Sequence, residues 1–108
     1  MKRINVVLVD KKLETLLNKA KVEEPQMYAF LNRAFDDLKK NPTCGTRIPK
    51  RLIPRYYIQK YSIDNLWKYN LPNAWRLLYS VKGNEIDVLA VVLEWLPHKE
   101  YERRFGYT

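Results

Sequence analysis

The 108-residue sequence predicts an α+β fold. Three observations carry that expectation. Residues 4–9 form a short, almost continuous apolar run rich in β-branched side chains, as a buried strand requires. Apolar residues then recur at helical spacing through two separate stretches. From Leu66 onward the pattern changes to period two. The expected architecture is a single domain over residues 1–108. Its N-terminal strand and two helices pack on one face of a twisted, mostly antiparallel four-stranded sheet, and a short C-terminal helix or tail follows.

Each element has a local reason. Asp10 follows the first strand and is placed to cap a helix, in which Leu13, Leu16, Leu17 and Ala20 share one face. Glu23, Glu24 and Pro25 open a second helix, with acids near the positive end and proline in the first turn. Its stripe is Met27, Phe30, Leu31, Ala34, Phe35 and Leu38, and Asn41-Pro42 ends it. Both stripes have the spacing of core packing. Pro42, Gly45, Pro49 and Pro54 punctuate a loop, and residues 55–61 fit a short helix. Lys82-Gly83-Asn84 reads as a hairpin turn, residues 85–93 as a central strand that Pro97 breaks, and residues 98–105 as the terminal helix or tail.

The first hairpin admits two registers. A two-residue loop would pair Leu71 with Ala74 and mix aromatic with charged residues on both faces. A three-residue loop, residues 72–74, pairs Leu71 with Trp75. It gathers Trp67, Tyr69, Leu71, Trp75, Leu77 and Tyr79 on one face and Lys68, Asn70 and Arg76 on the other. The hydrophobic pattern favours the second register. Two cations then share an otherwise largely apolar face, which calls for an anion or water.

Lys plus Arg number 20 and Asp plus Glu 12, a formal net charge of +8. The imbalance is local. Residues 38–63 carry seven bases (Lys39, Lys40, Arg47, Lys50, Arg51, Arg55 and Lys60) and no acid, while the flanking segments nearly balance. Tyr56, Tyr57 and Tyr61 are interleaved with these bases. Clustered cations with stacking rings are the electrostatic footprint of a polyanion partner, although an acidic protein or a solvated loop also fits. The single cysteine, Cys44, excludes an internal disulfide framework and a cysteine zinc knuckle. No apolar run reaches membrane-spanning length, and the start lacks a long apolar leader segment, so a cytoplasmic setting is expected. The three glycines are too scattered for a phosphate-cradling loop, and His98 is the only histidine, so no metal or cofactor is expected.

The segment Leu66-Trp67-Lys68-Tyr69-Asn70-Leu71, followed by Trp75-Arg76-Leu77-Leu78-Tyr79-Ser80-Val81, resembles the central hairpin of RelE/ParE-superfamily toxins of toxin–antitoxin pairs. His98-Lys99-Glu100-Tyr101 resembles that family's closing His-(Arg/Lys)…Tyr signature. The specific match covers residues 64–105, and the N-terminal helices agree in pattern. The resemblance implies a RelE-like fold and a metal-independent endoribonuclease that cuts mRNA on the ribosome and is held in check by a small, acidic antitoxin. It assigns Arg76 to the scissile phosphate, Lys68 to the same pocket, His98 or Lys99 to the closing basic position, and Tyr101 to the 2′-hydroxyl or the base. Lys50, Arg51, Arg55, Lys60, Arg103 and Arg104 would extend the RNA track. Three features depart from the family: Asn70 replaces a lysine found in some members, Tyr101 follows His98 closely, and residues 48–62 lengthen the usual connector.

Each assignment has an alternative. Arg76 could pair with an acid such as Asp87, His98 could merely begin the last helix, and Tyr101 could pack its ring on the sheet edge. At the level of the whole chain, a non-catalytic RNA- or partner-binding module of the same fold, and a ParE-type inhibitor of DNA gyrase, stay open.

Overall fold

The computed structural model describes residues 2–106; Met1, Tyr107 and Thr108, which the expected domain includes, lie outside the described residues. The elements in order are β1 (Arg3–Leu8), α1 (Lys11–Glu23), α2 (Pro25–Lys40), β2 (Thr46–Arg47), a 3-10 turn (Lys50–Leu52), α3 (Arg55–Tyr61), β3 (Trp67–Leu71), β4 (Trp75–Gly83), β5 (Asp87–Pro97) and α4 (His98–Phe105). The helix starts follow the sequence signals. The Asp10 carboxylate accepts from the Leu13 N–H at 2.9 Å, and Pro25 occupies the first turn of α2.

The fold is α+β, with five strands where four were expected. The sheet order is β1-β5-β4-β3-β2, with β1 parallel to β5 and the other pairs antiparallel. The additional strand is the two-residue β2, in a stretch whose prolines read as loop. Its pairing is tertiary in origin: Arg47 lies opposite Trp67 and Thr46 opposite Lys68. Gly45 makes the approach possible. A Cβ there would lie 2.5 Å from the Lys68 carbonyl oxygen, and the Gly45 N–H donates to Tyr79 Oη at 3.1 Å.

The β3–β4 hairpin has the three-residue loop, with Leu71 opposite Trp75. Asn73 and Ala74 take positive φ, 61° each, to close it. One sheet face therefore carries Leu71, Leu77 and Tyr79, flanked by Trp67, Tyr69 and Trp75. These pack with Leu13, Leu31, Ala34 and Leu38 of α1 and α2. Tyr69 Oη donates to the Asp37 carboxylate of α2 at 2.5 Å, fastening the helical layer to β3.

The opposite face is covered as well. Ile48, Ile53, Tyr57, Ile63 and Leu66 from the connector join Leu78, Leu93, Leu96 and Tyr101 in a second core. The expectation that helices pack on one face therefore describes α1 and α2 only; α3 and α4 close the other side. A register shift at Leu78/Tyr79 leaves Leu93 without a direct partner and places Glu94 opposite Leu78, on the α3–α4 side. Just before the start of β3, Asn65 extends the sheet by a side chain. Its Oδ1 accepts from the Val81 N–H and its Nδ2 donates to the Val81 carbonyl, each at 2.9 Å. No helix of the described residues is long and apolar enough to cross a membrane.

Candidate functional site

Lys68 on β3 and Arg76 on β4 face the same side of the sheet, diagonal to each other across the hairpin. Both meet one ring. Lys68 Nζ is 5.3 Å and the Arg76 guanidinium carbon 6.0 Å from the Tyr101 ring centre. A ring face is a favourable neighbour for a cation, and it leaves the charge uncancelled. Tyr101 itself is 2% exposed and stacks on Phe105 at 4.3 Å. Its ring is thus a platform beneath the two cations.

The start of α4 completes the cluster. The His98 N–H donates to the Ala74 carbonyl at 2.8 Å, which ties the helix to the hairpin loop. The imidazole then falls between two partners: Arg76 Nη2 lies 3.2 Å from Nδ1, and the Glu102 carboxylate meets Nε2. Arg76 Nη1 donates to the Trp75 carbonyl at 3.1 Å, while Nε is buried with no hydrogen-bond partner among the described residues. An unmatched buried donor is costly. Lys99 is exposed on the first turn of α4.

The expected alternative partner for Arg76 is wrong. Asp87 lies at the other end of the β4–β5 ladder and pairs with Arg3 at 2.8 Å, because Arg3 and Asp87 are direct neighbours in the parallel β1–β5 register. Tyr101 is packed, as one alternative expected, but on the sheet's face with Leu78, Leu93 and Leu96 rather than on its edge.

The remaining basic residues divide into two groups. Lys50, Arg51 and Arg55 are exposed on the 3-10 turn and the start of α3. Lys60 donates to Tyr56 Oη at 3.0 Å, and this bond holds the Tyr56 phenol below its usual value. Arg103 pairs with Glu100 at 3.1 Å. Arg104 lies 3.4 Å from Glu94 and 4.4 Å from the Tyr56 ring centre, so its charge is already matched. Burial, then the Glu94 carboxylate, pushes the neighbouring Tyr57 phenol well above its usual value, so it is neutral. The thiol of Cys44 is also raised, by partial burial and then by Asp37, which fits an inert cysteine.

Sequence reasoning missed Glu102 and Glu94. Glu102 was within reach: it is four residues from His98, one helical turn away once residues 98–105 are taken as helix. Glu94 depends on the register shift, which leaves no mark in the sequence.

No protein-family model matches this chain, and no curated protein or solved structure matches it.

Proposed function

We propose that the chain is a RelE-like toxin of a toxin–antitoxin pair: a metal-independent endoribonuclease that cleaves mRNA, acting on the ribosome. The observation that carries this reading is the cluster of Lys68, Arg76 and His98 over the Tyr101 ring. Internal cleavage of RNA needs cations at the non-bridging oxygens and a proton acceptor at the 2′-hydroxyl. Lys68 and Arg76 supply the cations. When Arg76 turns from His98 to the phosphate, Nδ1 is released to take the 2′-proton while Glu102 holds Nε2. The 2′-oxygen attacks phosphorus, and the bond to the 5′-oxygen breaks. The product is a 2′,3′-cyclic phosphate, and the Lys99 ammonium, on the same helical turn, donates the proton that the leaving 5′-oxygen takes up. The exposed Lys50, Arg51 and Arg55 form the track for flanking phosphates. A small acidic antitoxin is the matching regulator.

A second reading is a non-catalytic RNA- or partner-binding module of the same fold. The burial of the Tyr101 ring at 2% exposure favours it, because a catalytic phenol needs access to substrate. Purified protein added to translating ribosomes, followed by mapping of mRNA ends, decides between them. The nuclease reading expects discrete new ends. Salt-sensitive RNA binding without product supports the module.

A further inference from the structure

A second cationic site lies at the far end of the sheet. Lys82 is six residues along β4 from Arg76, roughly 20 Å at the rise of a strand. Here the end of α2, the start of β1 and the β4–β5 turn enclose a cleft of about 450 Å³. That lies within the range of ~300–1,000 Å³ usual for small-ligand sites. We infer that this cleft binds the phosphate of a nucleotide, its floor taking the heterocycle.

The lining chemistry carries the inference. Lys2, Lys40 and Lys82 contribute three ammonium groups, and no carboxylate is among the described lining residues. Asp87, the first residue of β5, is occupied by Arg3. The two lining asparagines are oriented by their own loops. Asn41 Oδ1 accepts from the Thr43 N–H at 3.1 Å and from its hydroxyl at 2.9 Å. Asn84 Oδ1 accepts from the N–H groups of Ile86 at 2.8 Å and Asp87 at 2.9 Å. With both amide oxygens engaged, the Nδ2 donors of Asn41 and Asn84 have no partner among the described residues. An amide nitrogen donates and never accepts, and an ammonium likewise. The charged and amide groups left over are therefore all donors, and they call for a compact anion with several acceptor oxygens, which is a phosphate. Ile4, Pro42, Val81 and Val88 supply an apolar floor. A bare phosphate has no use for such a surface, whereas the face of a base does. An acidic peptide would spread its carboxylates, one per residue, rather than concentrate oxygens at one point.

The site is independent of the proposed nuclease cluster, and its ligand is either a free nucleotide or one unit of an RNA strand. Calorimetric titration of the full chain at low salt tests it, with adenosine 5′-monophosphate, inorganic phosphate and a short single-stranded RNA as probes. The expected result is that the mononucleotide binds more tightly than inorganic phosphate. The paired charge reversals Lys40→Glu and Lys82→Glu weaken it by about tenfold or more. Both lysines are exposed, and an unchanged circular dichroism spectrum establishes that the variant is folded. Binding of the RNA alone, weakened by the same reversals, assigns the site to a strand; binding of the mononucleotide assigns it to a free nucleotide. Absence of binding by all three probes, affinity indifferent to the two reversals, or binding of an acidic peptide in their place overturns the inference. Failure of the mRNA-cleavage assay sinks the nuclease reading without touching this titration.

Discussion

Arg76 Nη2 lies 3.2 Å from His98 Nδ1, and that contact fixes the histidine's tautomer. A guanidinium can only donate, so Nδ1 is the acceptor and the neutral ring carries its proton on Nε2, facing Glu102. The nitrogen with the lone pair is therefore the one beside Arg76. On the proposed mechanism Arg76→Ala removes the main charge at the scissile phosphate, and mRNA cleavage should fall on the order of 100- to 1,000-fold. Quantified mRNA ends at matched protein concentration measure this. Undiminished cleavage would remove Arg76 from the site.

Glu102 acts through His98, not on the substrate. Glu102→Gln preserves the shape, but once Arg76 has turned to the phosphate a glutamine can present either an oxygen or an amide N–H to Nε2, so the tautomer is no longer imposed during the reaction. Single-turnover cleavage should drop on the order of 10-fold. Affinity for RNA should stay level, because the cations that hold the phosphate are untouched. Equal losses in both would show that Glu102 serves only to hold α4 in place.

The exposed track is tested by salt. Lys50, Arg51 and Arg55 make no ion pair among the described residues, whereas Arg103 and Arg104 face Glu100 and Glu94. Neutralising Lys50, Arg51 and Arg55 together should weaken single-stranded RNA binding. It should also flatten the dependence of log affinity on log salt by roughly 0.7 for each phosphate that no longer meets a cation. Neutralising Arg103 and Arg104 should change the slope less. The reverse order would place the RNA along α4.

The parts of this fold legible in the sequence are those whose pattern is local. Period two over residues 66–81 gives the sheet faces, and the requirement that aromatic residues share a face selects the loop that pairs Leu71 with Trp75. The same logic places Lys68 and Arg76 together, so the pair at the heart of the candidate site follows from alternation and that choice of register. What stays hidden is tertiary. Thr46–Arg47 is a strand only because Gly45 admits the β3 backbone. Ile48, Ile53, Tyr57, Ile63 and Leu66 build a second core, yet their irregular spacing matches neither a helix nor a strand. That core covers the face which was expected to carry no helical layer, and it explains why Tyr101 is enclosed.

Asn65 stands in for a strand that has not yet begun. Its side chain satisfies both backbone groups of Val81 and accepts from the Ser80 hydroxyl at 3.2 Å. Asn65→Ala strands these part-buried groups and should destabilise the fold by about 1–3 kcal/mol. Urea unfolding reads this as a lower midpoint at unchanged slope. Asn65→Asp keeps the acceptor for the Val81 N–H but turns a carboxylate towards the Val81 carbonyl, so it should recover little of the loss.

Alkaline pH probes the tyrosines that join the layers. Burial, then the Asp37 carboxylate, pushes Tyr69 from its usual value of 10 up to about 12, and burial pushes Tyr79 to about 12 as well. In the unfolded chain both ionise near 10. Between these values the unfolded state has released protons that the native state keeps, so it binds fewer protons and unfolding becomes easier as pH rises. The stabilisation from these two phenols is complete below pH 10 and is lost as pH climbs towards 12. Tyr69→Phe should cost about 1 kcal/mol at neutral pH, where it deletes the bond to Asp37. It should also make the alkaline decline shallower than in the unaltered chain, since one of the two coupled protons is gone. Urea midpoints collected from neutral pH upward for both proteins provide the comparison. Parallel declines would mean that Tyr69 ionises at its ordinary value and that its hydroxyl is not held by Asp37 in solution.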